Sequence, residues 1–305
     1  MSIIEKAAKR LEEMSRAGVQ VAWQSAGLTE AEVREITRSG APAPAANVQE
    51  PLTRVVNKAP QPARSRYIEI DVGRLSAAGY LTPGQSRSVL ADEFRGIKRP
   101  LLKHVHGETS LPAHRSNLIL VTSAVPGEGK TFCAVNLAMS IASEVDTSVL
   151  LVDCDVIRPA VLSRLGVEGQ HPGLLDLLTR KDLEVADTML RTNVPKLSLL
   201  PSGLPRANAT ELLASASMDQ LLDDLSQRYA DRVIIVDAPP LLVTTEARVL
   251  ASRMGQILVV VDQINSKPKE VAQAFAVLDN MPIVMSVLNR TQHKPGASRY
   301  EYYET

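Results

Sequence analysis

Short apolar runs recur along the second half of the chain, at 117–123, 148–154, 197–202, 232–238, 256–262 and 282–289. Between them, most clearly at 130–144, 209–228 and 267–279, apolar residues fall at helical spacing. Strands that are apolar on both faces and alternate with helices predict an α/β domain, a mostly parallel sheet with helices on both faces. A half-exposed antiparallel sheet would instead alternate apolar and polar residues. Nearer the N-terminus, Ile3, Ile4, Ala7, Ala8, Leu11 and Met14 share one helical face, with Glu5, Lys6, Lys9, Arg10, Glu12 and Glu13 between them. The spacing predicts an amphipathic helix, and its mixed acids and bases suit packing on protein better than lying on a membrane. Pro42, Pro44, Pro51, Pro60 and Pro62 then mark a Pro/Ala-rich linker. The expected organisation is a helical segment at 1–38, a linker at 39–66, a further helix-bearing segment at 67–115, the α/β domain at 116–291 and a tail at 292–305.

Composition narrows the function by exclusion. With 45% hydrophobic and 22% charged residues among 305, the chain is globular rather than disordered. Lys plus Arg and Asp plus Glu both number 34, so no chain-wide charge draws it to nucleic acid, and no nucleic-acid partner is expected. No apolar stretch reaches the about 18 residues of a membrane span and the N-terminus lacks a signal-peptide core, which predicts a cytoplasmic protein. Cys133 and Cys154 lack CxxC or Cys/His metal spacing.

Chemistry enters where the first apolar run ends. Ala124-Val125-Pro126-Gly127-Glu128-Gly129-Lys130-Thr131 has the spacing of a phosphate-binding loop, with Ala124 where the first glycine often stands. Gly127 and Gly129 let backbone N–H groups close around phosphate oxygens, and the helix that follows points its positive end at them. Lys130 supplies a point charge for the β- and γ-phosphates, and the Thr131 hydroxyl is a ligand for Mg²⁺. Pro126 through Phe132 are therefore the expected ATP contacts; Phe132 and Cys133 also read as packing residues. A P-loop NTPase is the expected fold.

Two further strands end in acids. Asp153-Cys154-Asp155 closes the second run, with Arg158 just beyond, and Asp237 closes the fourth. At the carboxyl ends of central parallel strands these acids lie beside the phosphate loop. A lysine, a hydroxyl and three carboxylates suffice for phosphoryl transfer by positioning and charge neutralisation. Asp153, Asp155 and Asp237, with Thr131, are the expected magnesium donors. Asn289, after the last strand, is a candidate for contact with adenine, and Arg158 for contact with phosphate or a neighbouring subunit.

These motifs resemble the bacterial tyrosine kinases. Pro126–Thr131, the Asp153–Pro159 stretch, Val236-Asp237-Ala238-Pro239-Pro240, Leu200-Pro201-Ser202-Gly203 and Glu211–Ser215 all match that family's pattern, over roughly 90–290. The N-terminal Met1–Ala7 and the Glu93–Leu102 stretch resemble its exopolysaccharide branch, the autokinases associated with exosortase A systems. The resemblance implies a protein-tyrosine autokinase using ATP and Mg²⁺, a ring-like homo-oligomer, and activation by a separate membrane chain-length regulator through a cytosolic segment. It also implies a cytoplasmic place at the inner membrane, held through that partner. Two positions depart from the pattern. Ile157 replaces the first of two basic residues. The subunit-contact motif reads Asp92, Arg95 and Lys98 in place of Glu and two Arg. Partition and septum-site ATPases, the alternative with the same fold, carry a signature lysine where this chain has Val125. A nucleotide-binding scaffold without kinase activity is the third reading.

Half of the six tyrosines, Tyr300, Tyr302 and Tyr303, occupy the last six positions, beside Glu301 and Glu304. In the family such a tail enters the site of the next subunit, which makes these three the expected phosphorylation sites; the alternative is an aromatic tail that docks on a partner. A phenol with pKa of about 10 needs a carboxylate to accept its proton, a role open to either Asp153 or Asp155.

Overall fold

The computed structural model describes residues 66–85, 87–111, 114–281 and 283–291. The expected N-terminal helix, nearly all of the linker and the tail with Tyr300, Tyr302 and Tyr303 lie outside these residues. One sheet holds eight strands: β1 (Arg66–Ile68), β2 (Leu118–Ser123), β3 (Ser148–Asp153), β4 (Leu190–Thr192), β5 (Leu197–Leu200), β6 (Arg232–Asp237), β7 (Gln256–Asp262) and β8 (Val284–Asn289). Their order is β1-β4-β5-β3-β6-β2-β7-β8. All neighbours are parallel except β4 and β5.

The apolar runs are two-faced because the sheet is covered twice. On β2, Ile119 and Val121 pack into one core with Val149, Leu151 and Ile235, while Leu118 and Leu120 pack into the other with Leu150, Val152 and Ile234. Successive side chains point to opposite faces, so a strand buried on both sides must be apolar throughout.

Among the described residues the helices are α1 (Val72–Ala77), α2 (Val89–Val105), α3 (Lys130–Ala142), α4 (Val161–Arg164), α5 (Leu174–Thr179), α6 (Val185–Thr188), α7 (Ala209–Ala214), α8 (Ala216–Arg228), α9 (Thr245–Ala251) and α10 (Pro268–Val277). The helix expected at 209–228 is two. The Ser215 hydroxyl accepts from the Met218 N–H at 3.2 Å and starts α8, while the Arg253 guanidinium takes the carbonyls of Leu213, Ala214 and Ser215 that the break leaves open. A serine N-cap with a cation on the preceding C-terminus stabilises two helices over one.

Strands β1 and β4 were not foreseen. Three residues are too few to show a period. They are held by Asn193, whose side chain accepts from the Ile70 N–H at 2.9 Å and donates to its carbonyl at 3.0 Å. The segment expected to precede the α/β domain thus contributes an edge strand to the same sheet, beginning at Arg66.

Helix α2 starts at Ser88, which accepts from the Ala91 N–H at 3.1 Å, and packs along α3. Asp92 and Arg95 pair with each other on its half-exposed side. Lys98 corrects an expectation. Its ammonium is turned into its own fold, donating to the Ser140 carbonyl at 2.6 Å and pairing with Glu144 at 2.5 Å, with 6% of the residue exposed. A buried cation with two partners fastens α2 to the end of α3 and is not presented to a neighbouring subunit. Lys98→Ala is expected to lower the unfolding free energy by about 1–3 kcal/mol, read from denaturant midpoints.

Candidate active site

The phosphate loop runs from the end of β2 to Lys130, the first residue of α3. Gly127 and Gly129 have φ of 91° and 97°, a region that side chains other than glycine rarely adopt. At Gly129 a Cβ would also lie 2.1 Å from Asn289 Nδ2. Nothing lies within 4 Å of the place a Cβ would take at Gly127, so the inner side of the loop is open.

Glu128 braces the loop through its side chain. Its side chain is buried behind the loop, where the carboxylate accepts from the Val125 N–H at 2.9 Å and from the Ser266 hydroxyl. Its carbonyl accepts from Asn289 Nδ2 at 2.9 Å. Glu128 therefore holds the shape of the loop. Asn289 lines the cleft from the end of β8 while its amide group steadies that carbonyl.

The three acids converge as expected but differ in their partners. Asp153 and Asp237 are register partners at the ends of β3 and β6. One Asp153 oxygen accepts from the Asp155 N–H at 3.2 Å, the other from the Ala160 and Val161 N–H groups at 3.1 and 3.0 Å. These backbone donors tie Asp153 to the loop that runs into α4. Asp155 accepts from the Arg158 N–H at 3.1 Å and pairs through its other oxygen with Lys130 Nζ at 2.9 Å. Arg158 itself is exposed. Asp237 accepts from the Thr131 hydroxyl at 2.7 Å, and its second oxygen is buried with no hydrogen-bond partner.

That orphaned oxygen tests the fit of a metal. A fully buried carboxylate with one lone oxygen beside a threonine hydroxyl is a hard, oxygen-only donor set that suits Mg²⁺, which binds few protein ligands and keeps waters and phosphates for the rest. Among the described residues no group of three or more His, Cys, Asp or Glu is arranged to hold a metal alone. Of the expected donors, Thr131 and Asp237 are the pair that this fit supports.

Burial raises the pKa of Asp237, and the neighbouring Asp153 raises it further, against the opposing pull of Lys130 and the Thr131 hydroxyl. Burial also raises Asp153, against its backbone donors. The same burial pushes the Cys133 thiol up to about 12, with Asp237 adding to it. Cys133 is a packing residue, as expected.

A cleft of about 500 Å³ opens over the loop, lined by Gly127, Gly129, Lys130, Thr131, Phe132 and Asn289, and by Ala78, Tyr80, Ala160, Arg164 and Arg290. Phe132 is half-buried and tilts against Tyr80, with ring centroids 5.0 Å apart. Tyr80 is buried and also walls the cleft. Arg290, at the opposite rim, pairs at 2.5 Å with Asp262. The Asn265 side chain, then the Ile264 and Asn265 N–H groups and Arg290, outweigh burial and hold Asp262 down to about 2.

A profile of the AAA domain family matches residues 116–274, just over half of the chain. The chain is 33% identical over 187 residues to the putative tyrosine-protein kinase EpsB of Ralstonia nicotianae, a match covering 61% of this chain and 24% of EpsB. It is 29% identical over 226 residues to tyrosine-protein kinase YwqD of Bacillus subtilis, covering 72% and 89% of the two. The crystal structure of the VpsO kinase domain superposes with a TM-score of 0.53 at 31% identity, covering 65% of this chain and 98% of that one. The chain belongs to the AAA domain family and, within it, to the bacterial tyrosine kinases. It spans about a quarter of the length of EpsB.

The motif residues 126–131, 153–155 and 237 meet at the carboxyl edge of the sheet, and four contributors escaped the sequence reading. Arg164 and Ala160 sit past the acid motif on a short helix without periodicity. Tyr80 stands 50 residues before Lys130, where only its aromatic character could have signalled a wall. Ser266, which braces Glu128, has no local signature.

A carboxylate whose pKa is raised by folding favours the folded state most below its unfolded pKa, and that stability is lost as pH rises through the folded value. Asp237→Asn removes this liability. The variant without nucleotide is expected to melt higher than the wild type by several degrees near pH 8, a gap that narrows towards pH 4, as measured by thermal unfolding across that range.

Proposed function

We propose that the chain is an ATP-dependent protein-tyrosine kinase that phosphorylates Tyr300, Tyr302 and Tyr303 of a neighbouring copy, and so regulates exopolysaccharide production. The observation that supports this most is that Lys130 and Thr131, which line the open cleft, are each bonded to a buried strand-end acid, Asp155 and Asp237. Membership in the bacterial tyrosine kinases and the tyrosine-rich tail support it from independent directions.

Each residue has a distinct task. The loop from Pro126 to Thr131 presents its N–H groups to the triphosphate. Lys130, now balanced by Asp155, is the cation for which phosphate oxygens compete. Thr131 and Asp237 would hold Mg²⁺, and the bound metal supplies charge neutralisation at the phosphate oxygens. Asp155 is the base of choice, because one of its oxygens is held only by Lys130, which a bound triphosphate draws away, whereas Asp153 accepts from three backbone N–H groups. The phenolic oxygen bonds to the γ-phosphorus as its proton passes to Asp155, the bond from that phosphorus to the bridging oxygen breaks, and ADP leaves. Asp153 positions Asp155 by holding the loop that carries it.

Transfer between copies implies an assembly, and a ring-like homo-oligomer suits a tail that serves its neighbour. The activating partner is a separate membrane chain-length regulator with a cytosolic segment, which places the kinase in the cytoplasm at the inner membrane. Among the described residues no helix is long and apolar enough to cross a membrane.

Incubation of the chain with its activating segment and Mg-ATP, followed by phosphosite mapping, tests the reading. Phosphotyrosine is expected on Tyr300, Tyr302 and Tyr303, and ATP turnover with an unmodified tail would overturn it. Lys130→Met should abolish the modification. Asp155→Asn should slow it by roughly 10²–10⁴-fold while Mg-ATP affinity changes little.

A further inference from the structure

The cleft over the phosphate loop has two ends, fixed by the sheet. Strand β3 and strand β8 lie on opposite sides of β2 in the order β3-β6-β2-β7-β8. Asn289 and Arg290 therefore close one end and the residues that follow β3 close the other. Asp155, paired with Lys130, sits at the β3 end. An acceptor that gives its proton to Asp155 must approach from there.

The wall at that end consists of Ala78, Tyr80, Phe132, Ala160 and Arg164. Two small side chains and two aromatic rings, tilted 49° to each other, leave an apolar notch that a phenol ring can enter. Arg164 is exposed at its edge, with its guanidinium beside the Tyr80 hydroxyl. Helix α4 sets this cation firmly. Val161 and Leu165 on either side of it are buried to 1% exposure, and the first N–H groups of α4 are held by Asp153. The acid that shapes the loop of the proposed base thus also places a cation at the acceptor entrance.

The tail has the complementary chemistry. Each of its three tyrosines has a glutamate directly beside it: Glu301 lies between Tyr300 and Tyr302, and Glu304 follows Tyr303. Adjacent residues of an extended chain are 3.8 Å apart, within the span of an arginine side chain that borders the acceptor. An arginine fork binds a carboxylate through two parallel hydrogen bonds, which no other exposed residue of that wall can do. We propose that Arg164 is a specificity residue that binds the carboxylate neighbouring the acceptor tyrosine, with Tyr80 and Phe132 as the surface for the phenol ring.

This inference rests on the kinase reading, and peptide binding separates the two. A fluorophore-labelled synthetic peptide of residues 298–305 is titrated into the full chain without nucleotide, and transfer to the same peptide is then followed with Mg-ATP and the activating segment. Arg164→Gln should weaken peptide binding roughly tenfold. Arg164→Glu should weaken it further, and a peptide with Glu301→Lys and Glu304→Lys should regain affinity for that variant while losing it for the wild type. Peptide affinity unchanged in Arg164→Gln, or lysine-bearing peptides bound equally by wild type and Arg164→Glu, would overturn the inference even if transfer proceeds. Arg164-dependent binding with no transfer from the wild type would overturn the kinase reading instead.

Discussion

Two carboxylates set level with each other by the register of β3 and β6, and shielded from water, are the constraint around which the carboxyl edge of the sheet is built. Left alone they would repel each other across a medium that solvates neither. The surrounding loops answer this locally: backbone donors bend around Asp153, a threonine hydroxyl reaches Asp237, and Lys130 balances Asp155 one step further on. The course of the chain from β3 into α4 follows from the first of these, and the orientation of Thr131 from the second. Substitution by a neutral isostere would relax the strain and forfeit the oxygen that makes the site suitable for a divalent ion. Stability is given up here for a charge arrangement, as is common where phosphoryl groups are handled.

Much of this edge was legible in the chain. A strand that runs Val149 to Val152 without a polar residue can only be buried on both faces, which fixed a parallel sheet and hence the side on which its terminal acids emerge. Glycines at 127 and 129 with a lysine and a threonine behind them specify a curl and its contents together. Directions of side chains were not legible. Glu128 and Lys98 occupy motif positions, but both turn inward because a partner distant in sequence, Ser266 in one case and the Ser140 carbonyl in the other, stands ready to satisfy them. Nor could spacing separate Asp153 from Asp155, since two residues place either within reach. The difference lies in which backbone N–H groups the next eight residues aim back at the strand end.

The segment before β2 proved more integral than its sequence suggested. The Leu81 N–H donates to the Asn136 side chain on α3 at 2.7 Å, which seats Tyr80 over Phe132. Gln256, buried at the start of β7, donates to the carbonyls of Leu101 on α2 and Ser116 before β2. These ties run from polar side chains to single backbone groups, and such contacts leave no periodic trace. They make the wall of the cleft part of the same rigid body as the loop it faces.

An acidic residue inside an anion-binding turn carries the same sign of charge as the group the turn receives. With its charge drawn to the rear and bonded there, Glu128 acts like a keel beneath the curl. Braced at Val125, Ser266 and Asn289, the curl takes its shape from the protein itself, so its donors are aimed by bonds that a phosphate does not have to make.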